Sequence, residues 1–319
     1  LSKNYELVGA YDLDKKKNKN INQKYGIEKF NTFDELIKKK KPNLVSILNE
    51  SGKHIETCKK IILKHDIRNF IIEKPLDVSV RKIIDFKKFI KNRKINIFTV
   101  KQNRFNKAVI KAKNLIQEKK LGKIFMISAS CKWRRDQNYY NQSYWRGTRK
   151  LDGGVLMNQA IHHIDLLIYL CGDVEEVVGF GDTRFIDMES ENISVASIKF
   201  KNKAIGVLEA TTATSPSDYE GSITILGSNG TLKISGFASN ELTYYKDSNK
   251  IKLNLDKYCD DIKNVYGNGH YLFYKYVARF LKSDKKKINE FDINSSLKSV
   301  MLVEKLIKSF KSKKVEKII

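Results

Sequence analysis

At 319 residues the chain is long enough for two domains of about 150 residues each, and its four cysteines (Cys58, Cys131, Cys171, Cys259) form no C-x-x-C pair or Cys/His cluster to suggest disulfides or a metal site. It contains no apolar run of about 18 residues and does not open on a basic-then-apolar leader, so no membrane span or secretion is predicted and a cytoplasmic location is expected. Its 61 Lys and Arg against 36 Asp and Glu leave a net charge of +25, but the lysines fall in short runs (15–17, 38–41, 285–287). That pattern reads as a solvated basic surface able to attract anionic small molecules, and no single element has the composition of a nucleic-acid module.

The opening YELVGAYDLD is an apolar run ending in acid, as a buried parallel strand does at the ligand edge of a sheet. In a dinucleotide-binding unit the acid closing the second strand accepts bonds from the ribose hydroxyls and repels a 2′-phosphate, so Asp12 points to NAD ahead of NADP. Helices are predicted over 15–25, 33–40, 55–65 and 80–91, and strands in PNLVSIL, over 69–72 and over 95–100. This alternation predicts a Rossmann-type parallel sheet over residues 1–99. Such a sheet begins with a strand and a G-x-G-x-x-G turn, whereas the sequence opens on what reads as strand two. A missing upstream segment of about 20 residues is therefore expected, the alternative being a sheet that binds no dinucleotide.

Residues 100–319 read as a second α/β domain with a large, mostly antiparallel open sheet, its last helices packing back on the first domain. KQNRFN is a cationic and amide cluster, followed by a helix closed by Gly122 and the strand FMISASCKWRR. DQNYYNQSYWRGTRKL has the composition of a ligand-binding loop and equally of an ordinary exposed excursion. From Asp152 to Leu170 a Gly-Gly pair leads into an uninterrupted helical pattern that puts Asn158, His162 and Asp165 on one face, with Leu156, Ile161, Ile164, Leu167 and Ile168 turned to a core. A second polar point, Glu73-Lys74-Pro75, ends an apolar run, and together the two suggest an active site. Alternating strands follow from 174 to 247, with a hairpin turn at Ser228-Asn229-Gly230. Helices are then expected near 270–281 and 296–310, and the final Lys-rich residues are expected to fray. A sheet with one free face predicts a homo-oligomer, a dimer or tetramer.

In this order the strand ending in Asp12, NESGKH, IIEKP, KQNRFN, YWRGT and DGGVLMNQAIHHIDLL resemble the glucose–fructose oxidoreductase, inositol dehydrogenase and MocA family of NAD(P)-dependent sugar oxidoreductases. Within it, the KQNRFN, YYNQSYWRGT and MNQAIHHIDLL segments look most like the UDP-N-acetyl-2-amino-2-deoxyglucuronate 3-dehydrogenases of surface-glycan synthesis. The resemblance implies a Rossmann domain, then an α/β domain whose sheet forms the oligomer interface. It puts Lys74 between nicotinamide and sugar and matches His162 to the family's catalytic histidine. Four positions earlier, inositol dehydrogenase-like members carry Asp and this chain carries Asn158. NAD is expected against Asp12, Leu48, Asn49, Ser51, His54, Glu73 and Lys74. The substrate is expected against Lys101, Asn103, Arg104, Trp145, Arg146, Asn158 and Asp165.

His162 suits the base at neutral pH, with Lys74 as an orienting ammonium or a second base, and Asp165 either orients the imidazole or pairs locally. The expected reaction oxidises C3 of UDP-N-acetylglucosaminuronate. UDP-N-acetylglucosamine or another sugar or polyol is the nearest alternative, and a non-catalytic nucleotide-sugar binder is the rival class.

Overall fold

The computed structural model describes residues 3–250, 252–262, 265, 267–283 and 291–318. In the first domain, β1 (Val45–Ile47), β2 (Asn69–Ile72) and β3 (Asn96–Thr99) lie parallel in chain order, with Val45 opposite Phe70 and Asn69 opposite Asn96. Their apolar runs suit strands covered on both faces, and Phe70, Ile71 and Ile72 are fully buried. Between and before them run α1 (Lys15–Tyr25), α2 (Phe33–Lys40), α3 (His54–Lys64) and α4 (Val80–Ile90). Thr32 and Ser79 start α2 and α4 by accepting the amides of Glu35 and Lys82, as N-cap hydroxyls do.

The strand expected in YELVGAYDLD does not form: residues 5–12 enter no ladder. An extended segment becomes a strand only when a neighbour takes its N–H and C=O groups, and none lies beside this one among the described residues. Side chains hold it instead: the Tyr5 hydroxyl donates to Tyr274 O at 2.6 Å, and the Tyr11 ring leans on Phe33.

The second domain contains α5 (Lys107–Gln117), β4 (Ile124–Lys132), a short α6 (Gln137–Asn141), α7 (Ile161–Cys171), β5 (Val174–Asp182), β6 (Ile193–Phe200), β7 (Ile205–Thr211), β8 (Glu220–Gly227), β9 (Gly230–Ser235) and β10 (Glu241–Asp247). It ends in α8 (Gly269–Leu281), α9 (Ile293–Ser312) and β11 (Glu316–Lys317). Among the described residues its eight strands run in the order β10-β9-β8-β4-β7-β6-β5-β11, and only the β4–β7 pair is parallel. The predicted hairpin turn is present, with Gly227 opposite Gly230. The expected fraying of the last residues is corrected: Glu316 pairs with Val177 on the edge of β5, and its carboxylate takes Lys308 at 2.8 Å.

One face of this sheet, with Ile127, Ala129, Leu208 and Ile223, is packed into the core beneath α7. The other carries the exposed Met126, Phe180, Val195 and Ile205. The last two helices return to the first domain. α8 covers one side of the parallel sheet with Phe273, Val277 and Phe280 against Ile71 and Phe98, while the start of α9 is tied to β3 by Thr99 N–H donating to Phe291 O at 2.8 Å.

The uninterrupted helix expected after Gly153-Gly154 is also corrected. Residues Val155–Gln159 make one π-turn, closed by Ala160 N–H to Val155 O, before α7 begins. The extra residue in that turn rotates Asn158 off the face that carries His162 and Asp165. Gly154, at φ +81°, makes the entry possible, since a Cβ there would lie 2.6 Å from a Glu191 carboxylate oxygen.

Candidate active site

The C-terminal ends of β1, β2 and β3 bring Leu48-Asn49, Glu73-Lys74 and Val100-Lys101 to one edge, where open parallel sheets receive ligands. Leu48 is 65 % exposed there, an apolar side chain suited to lie against a flat ring. After it the chain makes a tight turn at Ser51–Lys53. A Cβ on Gly52 would fall 2.1 Å from Lys150 O, so this glycine lets the polar loop of the second domain press onto the first, held by Gly52 N–H to Leu151 O at 3.0 Å. Ser51 is buried, and Asn49 spends its amide on Thr57 at 3.1 Å. His54, expected against the cofactor, is 1 % exposed and sits under the loop as a brace, its ring nitrogens 2.8 Å from Pro75 O and 3.0 Å from Asn49 O. Asp12 lies farther along the same domain and accepts the Asp14 amide at 2.8 Å.

Lys74 is the second residue beyond β2 and donates from Nζ to Asn158 O at 2.6 Å. Burial pushes its ammonium down from the ordinary range, while the charges of Glu73 and Asp152 oppose that push. Burial also acts to raise Glu73, but the His270 ring 3.1 Å away and the Lys74 charge hold that carboxyl below its usual range. Lys74 and His162 share one cleft with Thr99, Lys101, Asp165 and Ser299. Burial, followed by the charges of Lys74, His163 and His270, holds His162 well below 6.5, so its imidazole is neutral at pH 7. Its Nε2 lies 3.4 Å from the Gln102 amide.

Asp165 does not orient that imidazole. It forms an ion pair with Lys101 and a bidentate one with Arg104, Nε to Oδ2 at 2.7 Å and Nη2 to Oδ1 at 2.8 Å. The Arg104 guanidinium also stacks 4.3 Å from the Tyr169 ring. All three charges are buried, and buried charges persist only when paired. The two cations expected to hold a substrate are thus already neutralised in part by a residue of their own domain. Asn103, expected beside them, donates to Ala238 O at 3.3 Å and braces the loop after β9.

The aromatic loop and the exit of β4 supply two further cations. Arg146 stacks on Tyr139 at 4.1 Å and on Trp145 at 5.1 Å. Arg135, which the sequence reading did not single out, gives one guanidinium nitrogen to Asp218 at 3.0 Å and lies over the Trp133 and Tyr139 rings. It is close enough for its charge to act on Lys74. Asn158 is turned to Asp152, its amide donating to that carboxylate, while Gln159 donates to Asn158 Oδ1 at 2.9 Å. Gln102, Asp152 and His270 were missed with Arg135. The arginine pair closing a strand was a local signal, whereas nothing near His270 in sequence points to Glu73.

Comparison with known proteins decides the family. The profile described as "Oxidoreductase family, NAD-binding Rossmann fold" matches residues 1–101, and "GFO/IDH/MocA C-terminal domain" matches residues 109–233. The chain belongs to the GFO/IDH/MocA oxidoreductase family. Its first domain is therefore the NAD-binding one, and the exposed Leu48 at the ends of its parallel strands fits that use.

Among solved structures of this family, the WlbA dehydrogenase of Chromobacterium violaceum, in complex with NADH and UDP-GlcNAcA, is 30 % identical with a TM-score of 0.88, covering 98 % of this chain and 88 % of that one. WlbA of Bordetella pertussis, with the same two ligands, is 27 % identical with a TM-score of 0.87, over 98 % and 91 %. The oxidoreductase YteT of Bacillus subtilis is 25 % identical over 203 residues, 60 % of this chain, which spans only 46 % of that relative.

Proposed function

We propose that the protein oxidises C3 of UDP-N-acetylglucosaminuronate to a 3-keto sugar, with NAD as the acceptor, in the synthesis of a surface glycan. The observation that carries this reading is the meeting of Lys74 and His162 in one cleft at the ends of the parallel strands, with Arg135 and Arg146 stacked on aromatic rings nearby. The similarity to two dehydrogenases crystallised with UDP-GlcNAcA supports the choice of sugar.

NAD, when bound, supplies the hydride acceptor. The protein has one proton to manage. His162, neutral at pH 7, accepts the hydroxyl proton at a ring nitrogen. Lys74, fixed by Asn158 O, orients that hydroxyl. On the cofactor side Leu48, Asn49 and Ser51 are assigned to NAD, with Asp12 assigned to the adenosine ribose. On the substrate side Arg146 and Arg135 suit a diphosphate and a carboxylate, and Trp145 offers a ring for stacking a base. Lys101 and Arg104 act at one remove: with Asp165 they form a wall carrying one net positive charge. The exposed apolar face around Met126 and Ile205 is assigned to contact between copies of the chain.

The test uses full-length protein, NAD and a panel of UDP-N-acetylglucosaminuronate, UDP-N-acetylglucosamine, free inositol and glucose, with NADH followed at 340 nm and the oxidised carbon located by NMR. Preferred turnover of the uronate at C3 is expected. Preference for UDP-N-acetylglucosamine reassigns the substrate, turnover of the free polyols alone overturns the nucleotide-sugar reading, and binding without NADH formation would make the protein a sensor.

A further inference from the structure

Asn158 occupies the position where, on the resemblance described above, inositol dehydrogenase-like members of the family carry an acid, yet a carboxylate lies directly beside it. It comes from Asp152, six residues earlier, and it is buried. One of its oxygens accepts the Asn158 side-chain amide and the other accepts Gly147 N–H at 2.8 Å. The far side of the Asn158 amide is held in turn by Gln159, whose amide also reaches the Tyr139 hydroxyl at 3.2 Å. Asn158 is thus clamped at both ends of its side chain, and its backbone carbonyl is the group that receives Lys74 Nζ at 2.6 Å. Gly153 and Gly154, at φ +85° and +81°, fold the chain back so that Asp152 meets the π-turn it precedes.

We propose that Asp152 is a positioning residue for the reaction: through the Asn158 amide it fixes the carbonyl that aims Lys74, and it supplies a negative charge beside position 158, which itself carries none. This inference rests on the assignment of Lys74 to the proton-transfer pair.

Several groups face Lys74. Glu73 adjoins it and is itself held by His270 from α8. Arg135 and Cys131 approach from β4 and its exit, His162 from α7, and His54 from beneath Pro75. With Asp152, Glu73 makes up the anions that act on Lys74, and Glu73 is shared with His270. Asp152 favours the charged form of Lys74, so its loss moves the ionisation of Lys74 downward. The sign of that shift is the same whether Lys74 works as an ammonium or as a base.

The test compares the wild type, Asp152→Asn and the exchanged pair Asp152→Asn/Asn158→Asp. The ionisation of Lys74 is read by NMR of protein labelled with [ε-13C]lysine, its signal identified by loss in Lys74→Arg. Asp152→Asn is expected to lower that ionisation by about one pH unit. The corresponding limb of the kcat–pH profile should move in the same direction, kcat should fall about tenfold, and KM for NAD should hold within about twofold. The exchanged pair restores a carboxylate beside Lys74 and is expected to return its ionisation to the wild-type value or above. If Asp152→Asn does not fold, the exchanged pair alone decides, and a folded exchanged pair with a lowered Lys74 ionisation overturns the proposal. An unmoved Lys74 titration in folded Asp152→Asn also overturns it, even if the wild type oxidises the uronate as proposed. Failure of every sugar in the panel leaves the NMR reading intact, so the two proposals fail separately.

Discussion

Replacing Asp165 by alanine asks whether Lys101 and Arg104 belong to the protein's own interior or are held ready for a ligand. The side chains of Lys101, Arg104 and Asp165 keep only 5 %, 6 % and 9 % of their accessible surface. Burial pushes the Asp165 carboxyl up, but Arg104 and Lys101 outweigh it and hold it at about 2 against an ordinary 3.8, a contribution of about 2 kcal/mol at neutral pH. That contribution is complete above the unfolded pKa and is lost as pH falls through about 2. Lys101 runs the other way. Burial lowers it from 10.5 to about 8 in spite of Asp165, which costs about 3 kcal/mol at pH 7 and is relieved as pH rises from 8 towards 10.5. The two act in opposite senses, as expected of a buried ion pair, and removal of single partners is unequal.

Asp165→Ala removes the carboxylate that two buried cations share and is expected to cost about 3–5 kcal/mol. Lys101→Met removes the burial cost while Arg104 keeps both carboxylate oxygens, so a change of about 1 kcal/mol or less is expected. Urea unfolding followed by the fluorescence of Trp133 and Trp145 measures both. A cost below about 1 kcal/mol for Asp165→Ala, or equal costs for the two variants, refutes this account of the cluster.

Lys74→Ala and His162→Ala are each expected to lower kcat by about a hundredfold with NAD binding retained, and near-normal turnover in either strikes that residue from the mechanism. Because burial and neighbouring charges hold His162 well below 6.5, its neutral form persists into mild acid and the acid limb of kcat/KM is expected below pH 6.5; a His162-dependent limb at or above 6.5 contradicts this environment. Asp12→Ala is expected to shift the NADP-to-NAD affinity ratio towards NADP by about tenfold, and an unchanged ratio removes Asp12 from the ribose edge. Met126 and Ile205 stand opposite one another on β4 and β7, and on the proposed contact between copies through this face Met126→Asp/Ile205→Asp is expected to sediment at a lower mass than the wild type in sedimentation velocity; a wild type that sediments as a monomer, or an unchanged mass in the variant, refutes that contact.

What the sequence determined by itself was whatever neighbouring residues specify together. Helices Lys15–Tyr25 and Phe33–Lys40 and strand Asn69–Ile72 fall where periodicity and capping put them, because these signals are complete within a few turns of chain. The family was legible for the same reason: its short motifs around Lys74 and His162 are local, and the two family models match the segments that carry them. The open sheet followed from alternation, and the single-strand miss at residues 5–12 shows the limit, since a strand also needs a partner.

Only the tertiary structure decided where the charges went. Asp165 is 64 residues from Lys101, and Glu73 is 197 from His270, separations at which no local pattern carries information. The π-turn that moves Asn158 off the helical face depends on packing around Gly154 and Glu191, so a 3.6-residue template placed Asn158, His162 and Asp165 together although the structure splits them between two networks. The physical reason is common to all these cases. A buried charge must find its counter-charge wherever the fold brings one, so its partner is set by three-dimensional proximity and desolvation.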